Sequence, residues 1–318
     1  MNIRRQLIWI GLLLSWSGCN HYTDQQPTPD SGPPSARVEG LIQQYPQAQD
    51  ILFTTLANNQ LWQADFIRQG QLYKALLSPG RLLTTDQLME GRVPDSLARV
   101  LDQTAVAGGT FSNLRLRQYD WFNNQATNGQ VKQVYADYRW QQQPYTASWT
   151  LTQLPSGQVT YYLELLPFQS GEYQTDSLTE LPESLQAALR QQGLTFTYAW
   201  VQLDALHQRH GTLSVQKQGQ QLYLSYDDEG RPVVVNNQPT AQFFQQIDQL
   251  PTSIQAYLQR PELAGFGVKG ADASLTHHTY ASLSTYRVNL QKDNQAWLMT
   301  FSGQGQLISR SFLTYGFL

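Results

Sequence analysis

Five histidines occur in this chain of 318 residues, and four of them come as two close pairs. His207 and His210 lie in "DALHQRHGT", and His277 and His278 lie in "DASLTHHTY". Imidazoles this close together are raw material for a zinc or copper site. Neither pair has a carboxylate or thiolate at a recognised ligand spacing, and both segments read as polar turns, where histidine is at home. Ligation and an ordinary turn role both stand open, and no metal or other cofactor is assigned. Gly265, Gly267 and Gly270 in "GFGVKG" spell the dinucleotide fingerprint. That chemistry needs a strand before the loop and a helix after it, so that the helix N-terminus meets the pyrophosphate. Here the order is reversed: the loop follows a helix broken at Pro261 and leads toward strands. "DDEG" (Asp227–Gly230) lacks the alternate-position spacing of a calcium loop and reads as a hairpin tip. No G-x-S-x-G elbow, H-E-x-x-H helix or phosphate loop occurs. A triad built from distant residues leaves no such signature, but nothing favours one. The expectation is a non-enzymatic protein with no catalytic residue.

Recognition chemistry is better represented than catalysis. Aromatic residues make up 12 % of the chain, and many alternate at strand period. Trp149, Trp297 and Tyr226 fall on core faces. The opposite faces then carry Thr146, Ser148, Thr150, Thr152, Tyr162, Tyr223, Ser225, Arg287 and Asn289. Tyr and Arg are enriched in protein interfaces. Tyr162, Tyr223 and Arg287, with Thr150 and Ser225, are therefore the candidate partner-binding residues. The competing reading is a sheet face that is merely solvated.

The elements that would present these residues are repeated. "LPESLQAAL" (Leu181–Leu189) is nearly rewritten as "LPTSIQAYL" (Leu250–Leu258), with a third copy in "VPDSLARVL" (Val93–Leu101) and a weaker one in "VEGLIQQYP" (Val38–Pro46). In the stronger copies an apolar residue precedes Pro, and apolar residues follow at helical spacing. Proline is tolerated in a first helical turn because its missing N–H has no partner there. Each copy is followed by alternating runs closed on a glycine turn: "YKALLSPGRLL" with Gly80, "WTLTQLPSGQVTYYLEL" with Gly157, "LYLSYDDEGRPVVV" with Gly230 and "WLMTFSGQGQLISRSF" with Gly305. These are hairpins, with glycine supplying positive φ. "TLSVQ" and "STYRVNL" add further strands. The uneven spacing of the copies excludes a solenoid. The sequence predicts an α+β protein of four tandem units at 38–92, 93–180, 181–249 and 250–318. Each would be a short helix on one face of an antiparallel sheet of three or four strands. Units this small bury little core alone, so neighbours are expected to share an edge or pack tightly. Phe243, Phe244 and Ile247 lie at helical spacing between the last two units and predict packing against the neighbouring unit.

The "L-P…S-[L/I]…L" signature followed by a glycine-closed hairpin resembles the PepSY-like domains related to β-lactamase inhibitor protein. Those are helix-plus-sheet repeats of bacterial envelope proteins. The resemblance runs from Val38 to about Phe312 and is strongest in the last two copies. It implies a fold and a binding or inhibitory role, and it carries over no catalytic residue.

Location is written at the N-terminus. Arg4 and Arg5 precede the apolar run Leu7–Trp16, which is too short to span a bilayer. Ser17 and Gly18 then precede Cys19, the single cysteine. This resembles a bacterial lipoprotein cleavage box, so 1–18 is read as a signal peptide and Cys19 as the lipidated residue. Residues 19–37 are read as a polar, Pro-rich tether, and Asn20 points to outer-membrane sorting. The net charge is −3 with no basic stripe, which argues against nucleic acid as a partner. The expected function is a lipid-anchored envelope module that binds or inhibits another protein. The alternatives are a carrier or sensor of a small ligand, lipid or metal, and a diverged hydrolase.

Overall fold

The computed structural model describes residues 32–119, 131–227, 229–236, 241–268 and 275–318. The signal peptide, Cys19 and most of the tether lie outside these residues, as does Gly270. Four helices are present among the described residues: α1 (Ser35–Gln44), α2 (Asp95–Asp102), α3 (Glu183–Gln191) and α4 (Thr252–Leu258). Each is preceded by a proline, at Pro34, Pro94, Pro182 and Pro251, in an extended conformation that ends the incoming chain. In every case a leucine follows seven residues later: Leu41, Leu101, Leu189 and Leu258. The first helix therefore starts three residues before the expected Val38, because its proline is Pro34 and not Pro46.

The strands correct the expected fold class. β1 (Gln49–Ala57), β2 (Leu61–Arg68), β3 (Gln71–Leu77), β4 (Leu82–Leu88), β5 (Thr110–Tyr119), β6 (Val131–Trp140), β7 (Gln143–Gln153) and β8 (Val159–Pro167) form one continuous antiparallel meander. β8 then pairs with the C-terminal strand β18 (Leu307–Phe317). From there the sheet continues through β17 (Gln295–Ser302), β16 (Leu283–Lys292), β15 (Leu275–Tyr280) and the two-residue β14 (Gln242–Phe243). The result is a single 13-stranded sheet. The intervening β9 (Gly171–Thr175), β10 (Thr195–Leu203), β11 (Arg209–Lys217), β12 (Gln220–Tyr226) and β13 (Pro232–Asn236) form a separate five-stranded sheet. The molecule is mostly β, and it is not a row of small helix-on-sheet units. The physical reason is edge pairing. A sheet of three or four strands leaves two rows of unpaired backbone N–H and C=O groups, and the β4–β5 and β8–β18 pairings satisfy them.

The helices cover one face of each sheet. Leu97, Val100 and Leu101 of α2 and Ile254 of α4 pack on Trp149, Leu163, Trp297, Phe301 and Phe312 of the large sheet. α1 covers Phe66, Tyr73 and Leu77 at its N-terminal end. α3 places Leu185 and Leu189 on Leu213, Leu224 and Tyr226 of the small sheet, a core joined by Leu61 and Leu76 from the large one. Gly157, Gly230 and Gly305 take positive φ, whereas Gly80 does not. At Gly230 the turn also lies against the start of α3, where a Cβ would meet the Ser184 carbonyl oxygen at 2.7 Å. Gly305 lies against Ser253 of α4 in the same way. Phe244 and Ile247 join the large core, with Phe244 against Tyr286. Phe243 instead stands exposed, so the three do not act together as a packed connection.

Candidate functional site

The faces that carry no helix meet at β9. Strand alternation puts Leu114 and Leu116 of β5 into the core and turns Arg115 and Arg117 to the other side. On β9 it turns Glu172 and Gln174 away from Tyr173 and the α3 core. Glu172, fully buried, makes a 2.7 Å ion pair with Arg117. It also accepts hydrogen bonds from Tyr135 (3.1 Å) and Trp200 Nε1 (2.9 Å). Arg117 grips Asp86 with two bonds, at 2.7 and 2.8 Å, and its guanidinium lies 4.3 Å from the Tyr135 ring centre. Arg115 pairs with Asp137 at 2.8 Å and with Asp86 at 3.4 Å. Thr84 donates to the Glu172 carbonyl at 3.1 Å. Further along this seam Arg81 and Ser78 hold Glu180. At the other side of the small sheet the contact is neutral: Thr285 of β16 donates to the Val235 carbonyl of β13 at 2.9 Å. The five-stranded sheet thus bridges β4 and β16 of the large sheet.

Away from the β9 seam the same face of the large sheet opens to solvent. On β8, Leu163 and Leu165 enter the core while Tyr162 and Glu164 point the other way. Tyr315 lies directly across from Tyr162 on β18, and Phe317 is opposite Thr160. Tyr162, Tyr315 and Phe317 are 38 %, 55 % and 63 % exposed. Three neighbouring aromatic rings left in water on a rigid sheet form a patch of the kind that marks an interaction site. Glu164 borders it and accepts a hydrogen bond from Tyr162 Oη at 3.0 Å. Burial pushes the Glu164 carboxyl above its ordinary range; the Tyr162 bond offsets part of that, and the charge of Glu172 adds to it. Burial and the same Glu172 push the Tyr198 phenol on the facing sheet to about 12.

The predicted residues divide accordingly. Trp149, Trp297 and Tyr226 are core residues. Thr150 and Tyr162 are cross-strand neighbours at the open patch. Tyr223 and Ser225 lie on β12 of the other sheet, half-buried, where Tyr223 accepts from Gln221 and Ser225 contacts Thr212. Arg287 is exposed on β16, apart from both groups. Thr146 and Ser148, expected to be solvated, are buried. Thr146 lies beneath the β8–β9 connection, where its hydroxyl accepts the Gln169 N–H at 2.9 Å. Sequence reading missed Glu164, Tyr315, Phe317 and the Arg117–Glu172 pair. The signals were present in "YYLELL" and "LRLR", where alternation sets leucines on one face and reactive or aromatic residues on the other, and in "LTYGF", where it sets Tyr315 and Phe317 together on one face.

The chemical candidates resolve as local structure. His207 and His210 lie at the β10–β11 turn of the small sheet. His277 stacks on Tyr286 and bonds Ser284, while His278 is buried beside Thr276. The two pairs sit on different sheets. Among the described residues no group of three or more His, Cys, Asp or Glu side chains is placed to hold a metal. Ser170 Oγ stands 3.1 Å from His207 Nδ1. Yet Ser170 also donates to the Asp204 carbonyl at 2.6 Å, and the Asp204 carboxylate is taken by His210 and the N–H groups of Leu206 and Gln208. These residues cap a turn and do not form a relay. Asp227 likewise closes its hairpin, accepting from the Arg231 backbone and side chain. Gly267 bridges to Gln291, and the next element among the described residues is the strand β15. No helix among the described residues is long and apolar enough to cross a membrane.

No known family model matches the chain, and no curated protein matches it. Solved structures offer local likenesses. A BLIP-like protein from Bacteroides fragilis is 13 % identical over 40 % of this chain and 82 % of its own, with a TM-score of 0.28. A DUF2874 family protein from Bacteroides uniformis is 17 % identical over 38 % of this chain and 82 % of its own, with a TM-score of 0.29. A Bacteroides eggerthii protein described as periplasmic is 17 % identical over 42 % of this chain and 81 % of its own, with a TM-score of 0.25. At these scores the likeness carries no functional inference for this chain.

Proposed function

We propose that the protein is a non-enzymatic binding module of the bacterial cell envelope, anchored through lipid on Cys19, that engages another protein with its helix-free sheet face. The observation that carries this reading is the aromatic cluster Tyr162, Tyr315 and Phe317, exposed side by side on β8 and β18 while Leu163, Leu165 and Phe312 on the opposite face of the same strands enter the core. Such rings are typical anchors of protein recognition. The surrounding Thr, Ser, Gln and charged side chains suit a protein surface better than a lipid tail. Cys19→Ser should release the protein from the membrane fraction and abolish palmitate labelling; unchanged fractionation would remove the anchor from the proposal. For the binding role, the triple change Tyr162→Ala, Tyr315→Ala and Phe317→Ala should deplete a partner recovered from envelope extract. Ile42→Ala, on the exposed side of α1, should not. Equal recovery by all three proteins would place the interface elsewhere.

A further inference from the structure

We infer that Glu164 forms a subsite for a basic side chain, lysine or arginine, of the protein partner; this rests on the proposed binding role of the β8–β18 patch. The helix-free face carries two neighbouring glutamates with opposite fates. Glu172 is neutralised by Arg117 at 2.7 Å and held by Tyr135 and Trp200. Glu164 has no cationic partner among the described residues, and the one side chain that bonds it is Tyr162. A carboxylate half-removed from water with no cation beside it is an unfavourable arrangement unless something supplies one. The surroundings match that need. Glu164 sits between Ser148 and Leu313 across the strands, and the Tyr162–Tyr315 pair lies in the next outward-facing row. An incoming guanidinium or ammonium group would meet the carboxylate at its tip. Its methylene stem and one flank would lie on tyrosine faces, which attract cations through the ring quadrupole. The net charge of the chain, −3, adds long-range attraction for a basic partner.

The occupant of the Glu164 subsite is a positively charged side chain and not a purely apolar one. The subsite can be tested with the full-length protein and an array of extended peptides, each bearing an aromatic residue and a central Lys, Arg, Gln or Glu. Lys and Arg peptides should bind at least about tenfold more tightly than the Gln peptides, and the preference should shrink as salt is raised. Glu164→Gln should abolish the preference while leaving the melting temperature and the weaker aromatic-dependent binding in place. Equal binding of Lys and Gln peptides, failure of every peptide to bind, or an unchanged preference in Glu164→Gln would each overturn the subsite. The protein-binding role itself is read separately, from partner recovery by the aromatic triple variant. It survives if Glu164→Gln recovers the partner normally.

Discussion

Glu172 and Glu164 lie on the helix-free sides of the two sheets, yet one is consumed by the architecture and the other is left over. Glu172 is fully buried and ties β9 to β5, β6 and β10 through an arginine, a tyrosine and a tryptophan. Glu164 has one tyrosine bond and no cation among the described residues. The contrast separates two uses of a polar sheet face. Where the second sheet crosses it, acids and arginines pair inside the molecule and fix how the sheets meet. Where the face is open, aromatic rings and an unmatched carboxylate remain for something outside.

The largest effect is expected at the matched site. Glu172→Leu takes from the buried Arg117 one of its two acids, with Asp86 remaining; breaking a buried pair typically costs about 3–5 kcal/mol, and the remaining acid holds the loss to the lower end of that range. A urea midpoint should fall sharply, and the double change Glu172→Leu with Arg117→Met should recover much of the loss. A single variant as stable as the parent would mean that the seam contributes little.

A second effect concerns the buried His278 on β15. Burial, with the charges of Arg287 and His277 adding, lowers its pKa from 6.5 to about 4. The unfolded chain therefore binds a proton that the folded chain refuses between these values, and stability should fall as pH drops from about 6.5 toward 4. His278→Gln should flatten that part of the profile; an unaltered slope would assign it to other groups.

The unmatched site should behave in the opposite sense to Glu172. Because the folded state raises the Glu164 pKa, ionising it at neutral pH opposes folding; the penalty fades as pH falls through that raised pKa and is gone below the ordinary carboxylate range. Glu164→Gln should thus be neutral or slightly stabilising at pH 7. A clear loss of stability would show that Glu164 belongs to the fold after all. Smallest of all, Tyr162→Ala and Phe317→Ala should each change stability by no more than about 0.5 kcal/mol, as exposed substitutions usually do.

Much of this was legible in the sequence because alternation is a direct record of which face a strand residue occupies. Leu222, Leu224 and Tyr226 enter the core of the small sheet, and Trp297, Met299 and Phe301 that of the large one, as their spacing requires. The glycine turns at Gly230 and Gly305 follow from the same reading. Shared edges were expected of units this small, but which strands would pair was not legible. Nothing in "VTYYLELLP" says that its free edge takes the last strand of the chain, because backbone hydrogen bonds are blind to sequence. The first helix was misplaced because Arg37 stands where the other copies have an apolar residue; Pro34 and Leu41 carried the register. Alternation puts Thr146 and Ser148 on the outward face, as expected, but names a face and not what covers it; both are buried. Glu164 was overlooked because a lone glutamate in a strand looks like any exposed charge until the arginines are seen to be spent elsewhere.

Site-specific photo-crosslinking most directly tests whether the open face is the working surface. A benzophenone side chain would be placed singly at Tyr315, at Phe317 and, as a control on the helix side, at Ile42, in the full chain expressed in cells with an intact envelope. The account predicts that irradiation yields one discrete protein adduct shared by positions 315 and 317 and absent at 42. An adduct at 42 with none at 315 or 317 would contradict it and move the interface to the helices.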